Sequence, residues 1–363
     1  MTKPYTQFTK KKLALAMAHY KATAKIQDVL LVCFDQAGKW FSHPFLEDDA
    51  CDDLPKEIIP ADRLVTIGPN GQRILLSSFH SRSDVPIEMD YHDVAGQICL
   101  INTLLFEAPN LQTVGGVLNA ENATTFDAPS LQMVLSELKA NTTETFDVPA
   151  LKVCGRLNID SAKTFNAPCL KTVEGNMLVD NVKIFYVPCL KTVKGHMMVC
   201  NANTFNAPCL QTVEGCIFAN FATTFNARNL KTVYVNLYVQ SATTFKARNL
   251  QSVYGNLNAK SAATFEARNL KTVTGDLNAK SAATFKARKL KTVYGDLDAE
   301  AATTFIARNL QTVKGNLNAK SATTFEALKL VTVDGNLILE KNIRQKLILA
   351  RWPFAIAKFA GGI

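Results

Sequence analysis

The sequence has no Cys-x-x-Cys pair, although it holds nine cysteines. Without that pair or any zinc-like spacing, the common thiolate metal frameworks are excluded. No apolar run reaches the roughly 20 residues that a membrane-spanning helix needs. Only five histidines are present, and His43, His80 and His92 stand at no spacing to Cys33 or Cys51 that signals a nucleophile and its base. The acidic run at 47–53 lacks the spacing and the glycine of a calcium loop and reads as a solvated loop. Biased composition is missing as well. Hydrophobic residues make up 47% and charged residues 20% of the 363, which is ordinary for a folded chain. The expectation is a protein that is not an enzyme, with no catalytic residue, cofactor, metal or small-molecule substrate.

Lys10-Lys11-Lys12 runs into an apolar stretch from Leu13 to Ala18. That start resembles a secretory leader, but about six apolar residues fall short of the usual length. Cys169, Cys189 and Cys209 recur at one repeat position and read as reduced, buried thiols. Both features place the chain in the cytoplasm, with delivery into a host cell as an effector as the variant of that expectation. The formal net charge is +9 and the sequence pI is near 9.0, which favours acidic partners.

What the sequence does have is a repeat of twenty residues. The segment from Leu250 to Asn269 returns almost unchanged from Leu270 to Lys289, and the leading leucine recurs from Leu170 to Leu330. Upstream it sits one residue out of phase, at Leu111, Leu131 and Leu151. Leu151-Lys152-Val153 lacks the threonine of Leu170-Lys171-Thr172-Val173, which places the lost residue there. A weaker first copy starts at Tyr91, for about thirteen copies in all. A fixed period of this size is the signature of a solenoid.

Within one copy the apolar positions are leucine, valine, leucine, alanine, alanine, phenylalanine and alanine. Leu257-Asn258-Ala259 and Phe265-Glu266-Ala267 alternate as strands do. The recurring glycine, as at Gly255 and Gly275, reads as a tight turn with an unusual backbone angle. One coil cannot bury its own apolar edge, so stacked coils must pair strand to strand and share one core. The pattern predicts a mainly β, right-handed β-helix, a rod on the order of 60 Å long. The string Phe-x-Ala-Pro-x-Leu-x-Thr-Val-x-Gly-x-Leu-x-Val, at 165–179, resembles the leucine-rich-repeat-like units of receptor L domains and of related fungal cell-wall proteins. That resemblance covers roughly 91–340 and implies a right-handed β-helix. The near-identical copies resemble an expanded bacterial array.

Three domains are expected. Residues 1–90 read as a small α+β cap, with a helix at 10–23 and hairpins at 28–45 and 63–76. Residues 91–340 are the solenoid. Residues 341–363 read as a terminal cap helix bent at Pro353. Caps are needed because open strand edges recruit other chains.

One column changes character along the array. The position two before the leading leucine is proline at Pro168, Pro188 and Pro208, then arginine at Arg228, Arg248, Arg268, Arg288 and Arg308. Lys231, Lys271 and Lys291 follow three residues later. Stacking sets these cations in a row, partly balanced by Glu266, Glu326, Asp276 and Asp296. Such a row invites an anionic partner. The leading expectation is a scaffold for protein–protein interaction that holds an acidic protein on this basic face. The alternative partners are nucleic acid or an anionic membrane surface, and a further alternative is a catalytic domain within 1–90. The slot before the leading leucine, with Cys169, Cys189, Cys209, Asn229, Asn249 and Asn269, reads as a structural ladder whose side chains bond turn backbone.

Overall fold

A computed structural model describes residues 87–340, apart from 101–102, 122, 183 and 200–203, together with 30–31, 65–67, 73–75, 79–81, 341–343, 345 and 358–359. The expected helix at 10–23, the acidic run at 47–53 and most of the hairpin at 28–45 lie outside the described residues. The chain divides into two compact units, Met1–Pro168 and Cys169–Ile363. Both are mainly β, built of parallel coils of about twenty residues.

The second unit shows the coil in its most regular form. Each coil has a valine strand (Ser252–Val253), a leucine strand (Leu257–Asn258) and a phenylalanine strand (Thr264–Glu266). Each pairs in parallel with the same strand of the next coil, in register: Val253 with Val273, Leu257 with Leu277, Phe265 with Phe285. Two turns close the coil. The Leu250 amide donates to the Ala247 carbonyl at 3.1 Å, and the Ala262 amide to the Ala259 carbonyl at 3.1 Å. Strands of two or three residues suffice because each is paired on both sides along the stack.

All seven apolar positions point inward. Leu250, Val253, Leu257, Ala259, Ala262, Phe265 and Ala267 are fully buried. The phenylalanines stack as a continuous column, with ring centroids 5.0, 4.9, 4.8 and 5.0 Å apart from Phe245 to Phe325. Each buried ring contributes on the order of 1.5–3 kcal/mol by leaving water, and face contacts add about 0.5–1.5 kcal/mol. At the end of this unit Asn336–Leu339 pairs in parallel with Lys358–Phe359. Residues 341–343 are helical. The Glu340 carboxylate accepts the amides of Asn342 (2.7 Å) and Ile343 (3.3 Å), an N-cap for that turn. The rest of the expected terminal helix lies outside the described residues.

In the first unit the coil stack reaches back further than residue 91. Arg73–Leu75 pairs in parallel with Asp93–Val94, Phe79–Ser81 with Ile98–Leu100, and Ile87–Glu88 with Leu105–Glu107. These strands form a coil ahead of Tyr91, within the stretch expected to be a separate cap. The expected second hairpin is present, with Val65–Ile67 antiparallel to Arg73–Leu75. Leu30–Leu31 pairs antiparallel with Val65–Ile67 in turn. Two antiparallel strands thus occupy the open edge of the parallel stack.

The missing residue of the out-of-phase coil is not a threonine. Val153 pairs with Met133 and Cys154 with Val134, but Arg156 pairs with Glu137, so the register slips inside the bend. There Gly155 alone faces two residues, and a Cβ on it would meet the Ser136 carbonyl oxygen at 1.7 Å and that of Leu135 at 2.6 Å.

The recurring glycine serves a different purpose from the one expected. In the regular coils its φ lies outside the left-handed region, so no unusual backbone angle is involved. A Cβ on Gly275 would lie 2.0 Å from Asn256 Oδ1 and 2.9 Å from the Gly255 carbonyl carbon. The oxygen it would strike belongs to a ladder. Asn256 Oδ1 accepts the Asp276 amide (2.7 Å), Asp276 Oδ1 the Asp296 amide (2.8 Å), Asp296 Oδ1 the Asn316 amide (2.6 Å) and Asn316 Oδ1 the Asn336 amide (2.8 Å). Each side chain pairs a bend amide that the strands leave unbonded. Val235 takes the glycine position, and the preceding coil's ladder residue facing it is Cys216, which has no carboxamide to collide with.

Candidate partner-binding edge

The five arginines sit at the second position of the turn closed by the leading leucine. The amides of Leu230, Leu250, Leu270, Leu290 and Leu310 bond the alanine carbonyls three residues back at 3.0, 3.1, 3.1, 3.0 and 2.9 Å. Coils with proline make the same bond: Leu210 to Ala207 at 3.1 Å, across Pro208. That turn position favours the φ of proline but accepts most residues. The exchange of proline for arginine therefore leaves the backbone intact and changes only what faces solvent.

All five arginines are exposed, but they do not form one uniform row. Glu266 lies between Arg248 and Arg268, bonded to Arg248 Nε at 3.1 Å and to the Arg268 guanidinium. Arg308 Nε bonds Glu326 at 2.6 Å. The rule is positional. These bonds join an arginine to the residue two before it or eighteen after it. For Arg288 those positions are Lys286 and Ile306, and for Arg228 they are Asn226 and Lys246. Glu266 and Glu326 thus balance three arginines, as expected, while Arg228 and Arg288 have no carboxylate partner among the described residues.

Around Arg288 the imbalance is greatest. Lys289 replaces the usual turn asparagine, and Lys291 follows; both are exposed, and Lys286 is half-buried. Of the three lysines expected in the site, Lys231, Lys271 and Lys291 are all exposed, and Lys271 Nζ reaches Gln251 Oε1 at 3.4 Å.

The expected turn ladder is present in another form. Asn249 donates to Asn229 Oδ1 at 3.3 Å and Asn269 to Asn249 Oδ1 at 3.4 Å, side chain to side chain. Asn309 of the same slot does bond turn backbone, donating to the Arg288 carbonyl at 3.0 Å, while bonding to backbone amides belongs to the Asn256–Asn316 column beside the glycines. The expectation of buried thiols fails: Cys169 and Cys189 are exposed and Cys209 is half-buried, because the third turn position, just before the leading leucine, points outward.

Glu266 is the most buried charge of the edge, its side chain 7% exposed. Burial disfavours its ionised form, but hydrogen bonds and charge from Arg268 and Arg248 outweigh that and hold its carboxyl below the ordinary 4.5. A carboxyl lowered in the folded state stabilises above its unfolded value, and that contribution is lost as pH falls through the folded value. Glu266→Gln is expected to lower stability by about 1 kcal/mol at neutral pH, since both arginines are half exposed. Urea unfolding of both proteins should show the difference vanish in strong acid.

A second charged column was not foreseen. In the first unit Glu107, Asp127 and Asp147 face one another in successive strands. Burial, then the Asp147 charge, pushes the Asp127 carboxyl up. Among the described residues no group of three or more His, Cys, Asp or Glu side chains is placed to hold a metal ion. No helix among them is long and apolar enough to cross a membrane. No protein-family model and no curated protein matches the sequence.

Proposed function

We propose that the second unit is a non-enzymatic scaffold that holds an acidic protein partner along its arginine-bearing turn edge. The observation that carries this reading is the run Lys286, Arg288, Lys289 and Lys291, four cations within six residues with no carboxylate bonded to them among the described residues. Like charges this close repel one another, and a partner's carboxylates relieve the repulsion. The guanidinium of Arg288 takes a carboxylate through two parallel bonds. Arg228, beside Lys246 and Lys231, is a second centre three coils away, roughly 15 Å. An extended acidic segment of about five residues spans that distance. Arg248, Arg268 and Arg308 hold their neighbours' glutamates and serve the fold. Protein is favoured over nucleic acid because the turn positions beside the arginines are Asn or Lys, with no aromatic platform for bases.

Within this reading the coil is a leucine-rich-repeat-like unit, similar to those of receptor L domains and their fungal relatives. Its support is the buried leucine–valine–leucine pattern beside a polar turn column. Exposed thiols at Cys169 and Cys189 suit a reducing cytoplasm, and the near-identical copies suit a bacterial array or effector.

The test is retention on the immobilised protein and on its Arg288→Gln/Lys289→Gln/Lys291→Gln variant. A glutamate-rich peptide should bind the wild type, weaken by about tenfold or more in the variant, and elute at moderate salt. Retention of duplex DNA or anionic vesicles in place of the peptide would replace this reading with anion binding to nucleic acid or membrane.

A further inference from the structure

The bend between the valine and leucine strands carries a second outward column. It reads Tyr234, Tyr254, Thr274, Tyr294 and Lys314 in successive coils, and the three tyrosines are 51%, 51% and 55% exposed. Where two tyrosines are consecutive, they stack: the Tyr234 and Tyr254 centroids lie 5.4 Å apart, with planes at 21°. At Thr274 one aromatic rung is missing. The backbone does not shift to close the gap, since the Thr274 amide bonds the Val253 carbonyl and the Tyr294 amide the Val273 carbonyl, each at 3.0 Å. The phenylalanine rings of the same three coils are 4.9 and 4.8 Å apart. Tyr254 and Tyr294 are therefore rooted roughly 10 Å apart, with exposed Thr274 as the floor between them. One face of Tyr254 rests on Tyr234 and the other looks over Thr274.

The charge beside this gap is negative. The ladder residue two positions after the tyrosine column is asparagine at 236, 256, 316 and 336, but aspartate at 276 and 296. Asparagine and aspartate do the same structural work, accepting the next coil's amide at 2.7 Å from Asn256 and 2.8 Å from Asp276. The carboxylates add charge that the ladder does not need, in the coil of the gap and the next. Neither is in an ion pair among the described residues. Lys271 is turned to Gln251 at 3.4 Å and Lys314 to Asp334 at 3.0 Å.

We propose that the gap over Thr274, between Tyr254 and Tyr294, is a binding site for a methylated ammonium group. A group centred there lies roughly 5 Å from each ring, within the ~6 Å reach of a cation over an aromatic face. Size selects the rounded ion. A flat guanidinium stacks at ~3.5–4.0 Å and touches one ring only, whereas an ammonium padded by methyl groups meets both. Asp276 and Asp296 supply the counter-charge. This site is separate from the arginine edge and stands or falls without it.

The probe is choline, titrated against the full-length protein by NMR of its methyl protons, beside its neutral isostere 3,3-dimethylbutan-1-ol. Choline should bind roughly tenfold more tightly than the alcohol. Thr274→Tyr fills the missing rung and should abolish choline binding, while Asp276→Asn/Asp296→Asn should weaken it about fivefold. All three substitutions install residues that the same columns already carry, and an unchanged thermal midpoint confirms folding. A trimethyl-lysine peptide and phosphatidylcholine vesicles, compared in the same assay, separate a protein tail from a lipid headgroup as the source. Undiminished choline binding by Thr274→Tyr, or an alcohol that binds as tightly as choline, overturns the proposal.

Discussion

Phe285→Ala is expected to lower unfolding free energy by about 3–5 kcal/mol, among the largest single-residue effects in the second unit. The ring is fully buried. It is stacked on Phe265 at 4.9 Å and on Phe305 at 4.8 Å, with planes 7° apart on both sides. Its removal leaves a void between two coils that cannot close, because backbone pairing fixes the coil spacing. Coils touch only their neighbours, so the defect also weakens the coupling of the blocks on either side. Urea unfolding followed by circular dichroism should show a lower midpoint and a shallower slope. Phe325 is half-buried and rests on Phe305 at 5.0 Å near the end of its column. Its replacement is expected to have about half the effect, and equal effects would contradict a core built of stacked rings.

Gly275→Ala is expected to lower stability by about 2–3 kcal/mol, although the backbone angle suits any residue. The new Cβ would sit 2.0 Å from Asn256 Oδ1 and 2.9 Å from the Asn256 nitrogen. Either the ladder side chain must leave the Asp276 amide unbonded, or the coils must part. Adding Asn256→Ala removes the nearer obstacle and should restore part of the loss, so the double variant is less damaged than the sum of its parts. Strict additivity in thermal unfolding would show that the cost lies in the backbone and not in the ladder.

Much of the coil was legible because its signal repeats. The seven apolar positions, the strands and the stacked phenylalanines follow from period and burial, and nine or more copies average out local noise. The Pro-to-Arg exchange was visible for the same reason. What was hidden depends on the third dimension. The pairing of Arg248 with Glu266 joins residues eighteen apart, a separation set by the turn geometry of two neighbouring coils. The glycine resembled a turn residue, since its actual constraint comes from the close backbone and the ladder side chain of the preceding coil. The ladder was assigned to Asn229, Asn249 and Asn269 because those lie beside the leading leucine. The backbone-bonding column lies one residue after each glycine, where Asn256, Asp276 and Asp296 alternate as only a shared acceptor role allows. That alternation was the available signal. The start of the stack at Arg73 was obscured because its first coil carries Ile87 in place of phenylalanine and lacks the leading leucine.

The most direct measurement compares two double variants of the full chain for binding to a glutamate-rich peptide. Arg228→Gln/Arg288→Gln removes the arginines that have no carboxylate partner, and Arg248→Gln/Arg308→Gln removes two that do. The expected result is that the first loses the peptide by about tenfold or more while the second retains it. Equal loss from both variants, or loss from the second alone, would show that the unpaired cations are not the contact and would contradict the assignment of this edge.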